Sequence, residues 1–283
     1  MSVAPHAFFM PAGGNRAGQR LWLYHAEQGE GCRGALVYVH PFAEEMNKSR
    51  RMAALQSRAF AQAGYAVLQI DLLGCGDSSG DFGDATWDDW QVDVVQAAAW
   101  LQQRHPSAPL WLWGLRAGCL LAVDAARRID APCQFLFWQP AAAGKVLLQQ
   151  FLRLKLAGDM LDGKANGAMD VMRAQLAADQ AVEIAGYGLN PALASGLAQA
   201  TLAPPPAASA SRARRSVWLE VSAREGATLS PATHAAAEQW RQAGHEVSAE
   251  VATGPGFWQT SEIEDAPALI DATLAALDET VPA

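Results

Sequence analysis

Short, almost continuously apolar runs alternate along this chain with longer segments of helical period, and that rhythm limits the folds open to it. The runs are Leu21–His25, Ala35–His40, Ala66–Leu72, Leu110–Trp113, Gln134–Trp138, Ser216–Val221 and Val247–Val251. Most lack the polar alternation of a half-exposed strand, as expected where a parallel sheet is covered on both faces. Helical patterns fill the gaps at Lys48–Ala63, Thr86–Arg104, Ala117–Arg128, Pro231–Ala243 and Ile263–Leu277. Thr86 can cap a first turn that carries Asp88 and Asp89. Gly64 and Gly244 stand where a left-handed residue closes a helix. This alternation predicts an α/β fold, a mostly parallel doubly wound sheet in a single domain over 1–283.

One stretch departs from the rhythm. Residues 144–215 are helical in pattern and close with Pro204-Pro205-Pro206 and an Ala/Ser/Arg run. They predict a helical lid inserted between two sheet strands, with a proline-rich return. Its first helix, Val146–Leu156, sets an apolar face (Val146, Leu147, Leu148, Phe151, Leu152, Leu154, Leu156) beside Lys145, Arg153 and Lys155. Packing over the sheet is the preferred reading of that face, ahead of a membrane surface.

Composition narrows the partners. A chain of 283 residues with 51% hydrophobic content can bury a large core, while a net charge of −8 argues against a nucleic-acid surface. Cys32, Cys75, Cys119 and Cys133 are scattered, with no CxxC and no His/Cys grouping at metal spacing. They read as reduced thiols, and neither a metal nor a cofactor is expected. No basic-then-apolar leader opens the sequence, and no run reaches the roughly 18–20 apolar residues that span a bilayer. A cytoplasmic protein is expected, with a homodimer left open.

The segment Leu110-Trp111-Leu112-Trp113-Gly114-Leu115-Arg116-Ala117-Gly118 reads as strand, sharp turn and helix start. The G-x-S-x-G nucleophile elbow has this context, its glycines letting strand and helix approach closely. Gly114 and Gly118 keep the spacing, but Arg116 stands in the nucleophile's place. Two further landmarks precede it in the expected order. His40-Pro41-Phe42 follows a strand, so the amides of Phe42 and Ala117 are the candidate oxyanion donors. Asp71-Leu72-Leu73-Gly74-Cys75-Gly76-Asp77-Ser78 follows the next strand.

With these landmarks nearly the whole chain resembles the α/β-hydrolase superfamily. Pro41–Met52, Gly74-Cys75-Gly76-Asp77-Ser78 and Gly114-Leu115-Arg116 together look like the second type of exosortase A system-associated hydrolase. That resemblance implies the fold, and a setting in bacteria that make an exopolysaccharide and sort proteins carrying a PEP-type C-terminal anchor. It implies an ester- or acyl-hydrolase label without a demonstrated substrate.

A Ser–His–Asp triad cannot be assembled from these residues. Arginine carries only donors and stays protonated, so it cannot attack. The loop after Val247–Val251, where the histidine belongs, holds Phe257 and Trp258 instead, and none of His6, His25, His40, His105, His234 and His245 lies there. Glu225 survives as an acid in type, but a triad carboxylate exists to orient a histidine. Gly76-Asp77-Ser78-Ser79-Gly80 also fits G-x-S-x-G but lacks a helix start, so Ser78 is disfavoured as a nucleophile. Cys75, Ser78, Glu225, Phe257 and Trp258 are expected around the pocket.

Two functions stay open. In one, Arg116 and the oxyanion amides stabilise charge while Glu44, Glu45 or His40 activates a water. In the other, the fold binds without catalysis, taking an anionic ligand, an acyl or sugar metabolite, or a partner protein. Arg116 at a helix N-terminus beside free amides suits an anion, unless Glu44 or Glu45 neutralises it internally.

Overall fold

The computed structural model describes residues 4–14, 17–161, 167–205 and 214–278. Its strands are β1 (His6–Pro11), β2 (Gln19–His25), β3 (Gly34–Val39), β4 (Tyr65–Ile70), β5 (Leu110–Leu115), β6 (Cys133–Trp138), β7 (Val182–Ile184), β8 (Tyr187–Leu189), β9 (Arg214–Ser222) and β10 (His245–Thr253). The helices are α1 (Glu44–Gln62), α2 (Trp87–Arg104), α3 (Ala117–Ala126), α4 (Gly144–Leu161), α5 (Ala168–Ala177), α6 (Pro191–Gln199), α7 (Pro231–Gln242) and α8 (Pro267–Asp278). Eight strands form one sheet in the order β1-β2-β4-β3-β5-β6-β9-β10. The pairs from β4 to β10 are parallel and the two involving β2 are antiparallel. This is the α/β-hydrolase fold.

The central strands are buried on both sides, which is why their sequences are continuously apolar. In β3, Ala35, Val37 and Val39 join one core and Leu36 and Tyr38 the other. The first core packs under α2, α3, α7 and the residues between β6 and β9; the second packs under α1 and α8. At the sheet's edge, β10 alternates buried and exposed positions instead. Strand β1 pairs its whole length with β2 at the opposite edge. Only Phe8 and Met10 along it are partly buried, too little apolar burial to mark it as a strand from sequence.

Helix bounds differ from expectation where local chemistry overrides the apolar pattern. Helix α1 starts four positions earlier than expected, with Glu44 and Glu45 in its first turn, where the helix dipole favours acids. Helix α8 starts at Pro267 rather than Ile263, because proline is preorganised for a first turn. Thr86 caps α2 as expected, its hydroxyl accepting from Asp89 N while the Asp89 carboxylate accepts from Thr86 N at 3.0 Å. The insertion between β6 and β9 is not helical throughout: β7 and β8 form a hairpin between α5 and α6, turned by Ala185 and Gly186, both at positive φ. Pro206 and most of the Ala/Ser/Arg run lie outside the described residues.

Two features fix the elbow. Buried Asp93 on α2 accepts from Arg20 Nε at 2.9 Å and from Leu73 N at 2.8 Å, tying an outer strand, a helix and a carboxyl-edge loop together. At the turn itself, a Cβ on Gly114 would lie 2.5 Å from Cys119 N, and one on Gly118 2.1 Å from Val39 O. Only glycine permits this approach of α3 to β3 and β5. Gly118→Ala is therefore expected to lose on the order of 3 kcal/mol of stability or fail to accumulate as folded protein; equilibrium urea unfolding reads this, and a loss below about 0.5 kcal/mol would show that the contact relaxes.

Candidate functional site

Strand β5 ends at Leu115 and α3 begins at Ala117, so Arg116 alone makes the turn, at φ 55° and ψ −115°. An L-residue rarely adopts this backbone, which costs about 1–3 kcal/mol and persists only where its surroundings enforce it. Here Arg116 N donates to Trp138 O at 3.0 Å and Cys119 N donates to Arg116 O at 3.1 Å, fixing the turn from both sides. A similar backbone occurs at Ala43 (φ 50°, ψ −124°), immediately before α1. Two helix N-termini thus converge at the sheet's carboxyl edge.

Between them lies a cavity of about 360 Å³ lined by Phe42, Glu44, Glu45, Lys48, Arg116 and Gln259, with Leu147, Gln150, Phe151 and Leu154 of α4 forming its roof. Arg116 Nε and Nη2 both donate to Glu45 Oε1, at 3.2 and 3.1 Å, and Nη2 also donates to Gln150 Oε1 at 2.7 Å. The guanidinium carbon sits 5.8 Å from the ring centre of Trp258. Of the two carboxylates expected to neutralise Arg116, Glu45 is the one that does so. Burial pushes the Glu45 carboxyl upward, against the Arg116 charge and hydrogen bonds that draw it down.

Glu44 is placed differently. Its Oε2 is buried and has no hydrogen-bond partner among the described residues. Burial again raises its carboxyl, outweighing its own amide, Lys48 and Arg116. The amides of Phe42 and Ala117 donate to no protein acceptor among the described residues. Both amides are therefore free of protein acceptors, with the Arg116 side chain on the turn between β5 and α3.

The other sequence-derived candidates are distributed elsewhere. His40 is buried beneath the oxyanion loop, with Nδ1 2.8 Å from Pro41 O and Nε2 accepting from Leu72 N at 3.4 Å. Both nitrogens are engaged and burial lowers its pKa, so it holds the loop and is not placed to activate a water. Ser78, expected at the pocket, instead donates to Asp71 O and accepts from Leu21 N at 3.0 Å, bracing the loop after β4. Cys75 is buried in the core, its thiol pushed well up by burial and by nearby Asp71. Glu225 is exposed on the loop after β9 and does not line the cavity. Phe257 is fully buried against α8 and Trp138, outside the cavity, and only its neighbour Trp258 reaches Arg116.

The lid helix was expected over the sheet, but Gln150, Lys48 and Gln259 were not foreseen as cavity residues. The roof had a readable signal: Leu147, Gln150, Phe151 and Leu154 recur at i, i+3, i+4 and i+7, one helix face. Gln150 breaks that apolar stripe at the position that meets Arg116.

The burial of the Glu44 carboxylate, with Oε2 unpartnered, predicts a pH signature. A carboxyl whose pKa is higher folded than unfolded subtracts stability as pH rises through the interval between the two values. Glu44→Gln should therefore melt with wild type below about pH 3, where the carboxyl is protonated in both states, and above it at neutral pH. Thermal melts across this range decide it, and a variant less stable than wild type at neutral pH would mean that Glu44 is paired.

Comparisons with known proteins agree with this architecture. Human Protein ABHD12B is 30% identical over 95 residues, covering 34% of this chain and 25% of its own length. The chain thus spans about a quarter of that curated relative. Est1E from Butyrivibrio proteoclasticus, in a structure holding ferulic acid, superposes with a TM-score of 0.63 at 15% identity, covering 94% of this chain and 96% of that one. A soluble variant of monoglyceride lipase from Saccharomyces cerevisiae gives 0.59 at 11% identity, covering 98% and 96%. XC6422 from Xanthomonas campestris, an α/β serine hydrolase without a lid, gives 0.56 at 13%, covering 98% and 95%. At these identities the structures establish the fold. The family described as Serine aminopeptidase, S33 matches residues 31–175, just over half the chain and including the elbow, and the protein belongs to that family within the α/β-hydrolase superfamily.

Proposed function

We propose that this protein binds a small acidic or acylated metabolite in the cavity beside Arg116, without serine-type hydrolysis. The observation that carries the reading is the conjunction at the elbow: Arg116, fixed on the nucleophile's turn, next to two amides without protein acceptors. Amides at a helix N-terminus beside a guanidinium favour a carboxylate, a phosphate or an acyl carbonyl. Glu45 cancels most of the Arg116 charge, so recognition rests on directed hydrogen bonds more than on bulk attraction. Leu147, Phe151 and Leu154 offer the apolar contact that an acyl chain needs. Glu44 Oε2 remains as an acceptor for a ligand hydroxyl. Acidic, acylated sugars combine all three features. Such metabolites suit the exopolysaccharide and exosortase setting implied by Pro41–Met52 and the Gly114-Leu115-Arg116 motif.

The competing reading is hydrolysis by a water activated at Glu44, whose upward-shifted carboxyl beside the amide pair is the observation in its favour. Two assays on the same preparation separate them. With p-nitrophenyl butyrate, the binding account expects no turnover above buffer. With glucuronate and acetyl phosphate, it expects a rise in melting temperature, since a ligand that prefers the folded state stabilises it, and the rise should vanish in Arg116→Gln. Ester turnover that disappears in Glu44→Gln would replace binding with catalysis.

A further inference from the structure

At the opposite end of the sheet from the cavity, three chain segments meet: the residues after β2, those before β3, and the C-cap of α2. They bring together Glu27, Cys32 and His105, whose carboxylate, thiol and imidazole atoms lie within 4.8 Å of one another. Their spacing along the sequence gives no metal motif, because 73 positions separate Cys32 from His105.

The hydrogen bonds around His105 show why a cation belongs there. The Tyr24 hydroxyl donates its proton to Glu27 Oε2 at 3.2 Å and lies 2.8 Å from His105 Nε2. A phenol has one proton, so Nε2–H must be the donor in the second contact. In the neutral ring Nδ1 is then a bare lone pair, and it faces Glu27 Oε1 at 3.6 Å. Two acceptors aimed at each other repel unless a proton or a metal ion lies between them. The half-buried Cys32 thiol adjoins the same gap and hydrogen-bonds backbone groups alone, Gly34 O at 3.2 Å and Ala66, bonds that metal binding would replace.

We propose that Glu27, Cys32 and His105 form a binding site for a divalent cation of the zinc type. Imidazole nitrogen, thiolate sulfur and carboxylate oxygen are the donors this borderline-soft ion takes, and three protein ligands leave one position for water. Ligand atoms around tetrahedral zinc stand roughly 3.5 Å apart, so the present separations need an inward movement of about an ångström. On binding, Cys32 loses its thiol proton to solvent and its sulfur bonds the metal. Tyr24, on His105 Nε2, is the outer partner that fixes the ring's tautomer. The ion would clamp the β2–β3 connection to the end of α2 and would leave the Arg116 cavity untouched.

The experiment is a titration of the full chain, dialysed against EDTA, with Co²⁺ and then Zn²⁺. One equivalent of Co²⁺ should produce a thiolate-to-cobalt charge-transfer band and the intense visible bands of a tetrahedral site, and Zn²⁺ should displace it and raise the melting temperature. Cys32→Ser should abolish the charge-transfer band, and His105→Gln should weaken Co²⁺ binding at least about tenfold. Cys133→Ser, which changes a buried thiol elsewhere, should leave both intact. No charge-transfer band in wild type, a full band in Cys32→Ser, or unchanged affinity in His105→Gln would each overturn the proposal. Circular dichroism confirms that each variant is folded before it is read.

Discussion

A permanent cation on a strained turn must find a counter-charge, and the candidate site is organised around the place where Arg116 finds it. Removing one partner of a largely buried ion pair costs about 3–5 kcal/mol, because the other is left desolvated and unpaired. Glu45 supplies the counter-charge from the first turn of α1, which fixes how α1 begins. Gln150 takes a second guanidinium hydrogen, which connects the elbow to the roof over the cavity. Trp258 covers the guanidinium face from the loop after β10. Three separate parts of the chain are thereby tied to one side chain on the elbow.

The surrounding scaffold is that of a hydrolase even so. The two elbow glycines still allow backbone contacts that no Cβ would permit, and the oxyanion loop still presents its amide. What has changed are the groups that would perform attack and proton transfer. A guanidinium has no lone pair to offer, and an indole beside it cannot act as a base. The same backbone geometry that would expose a hydroxyl here exposes hydrogen-bond donors, and the proposed binding role rests on that difference.

Much of this was legible in the sequence, for identifiable reasons. Strands buried on both faces leave continuous apolar runs, so β3 to β6 and β9 could be read directly, while β2 and β10 showed as short β-rich runs between helical segments. The elbow could be read because close backbone approach demands glycine at two fixed positions. Strand β1 and the β7–β8 hairpin could not, being short or of mixed burial and defined by pairing rather than by pattern. The counter-charge was narrowed to Glu44 or Glu45, and the structure places Glu45 against Arg116. Ser78 and Cys75 were misplaced because the loop after β4 folds back on Asp71, with Arg50 2.9 Å from that carboxylate. Long-range hydrogen bonds of that kind leave no trace in local spacing.

The central claim is that Arg116 and Glu45 form one coupled unit at the elbow. A double-mutant cycle with Arg116→Met, Glu45→Met and the double variant, read by urea unfolding, measures that coupling directly. The account predicts a favourable interaction of about 2 kcal/mol, within the range for side chains in direct contact, with the double variant more stable than Glu45→Met alone. Additive effects of the two substitutions would contradict it, because they would mean that the guanidinium on this turn does not depend on the carboxylate assigned to it.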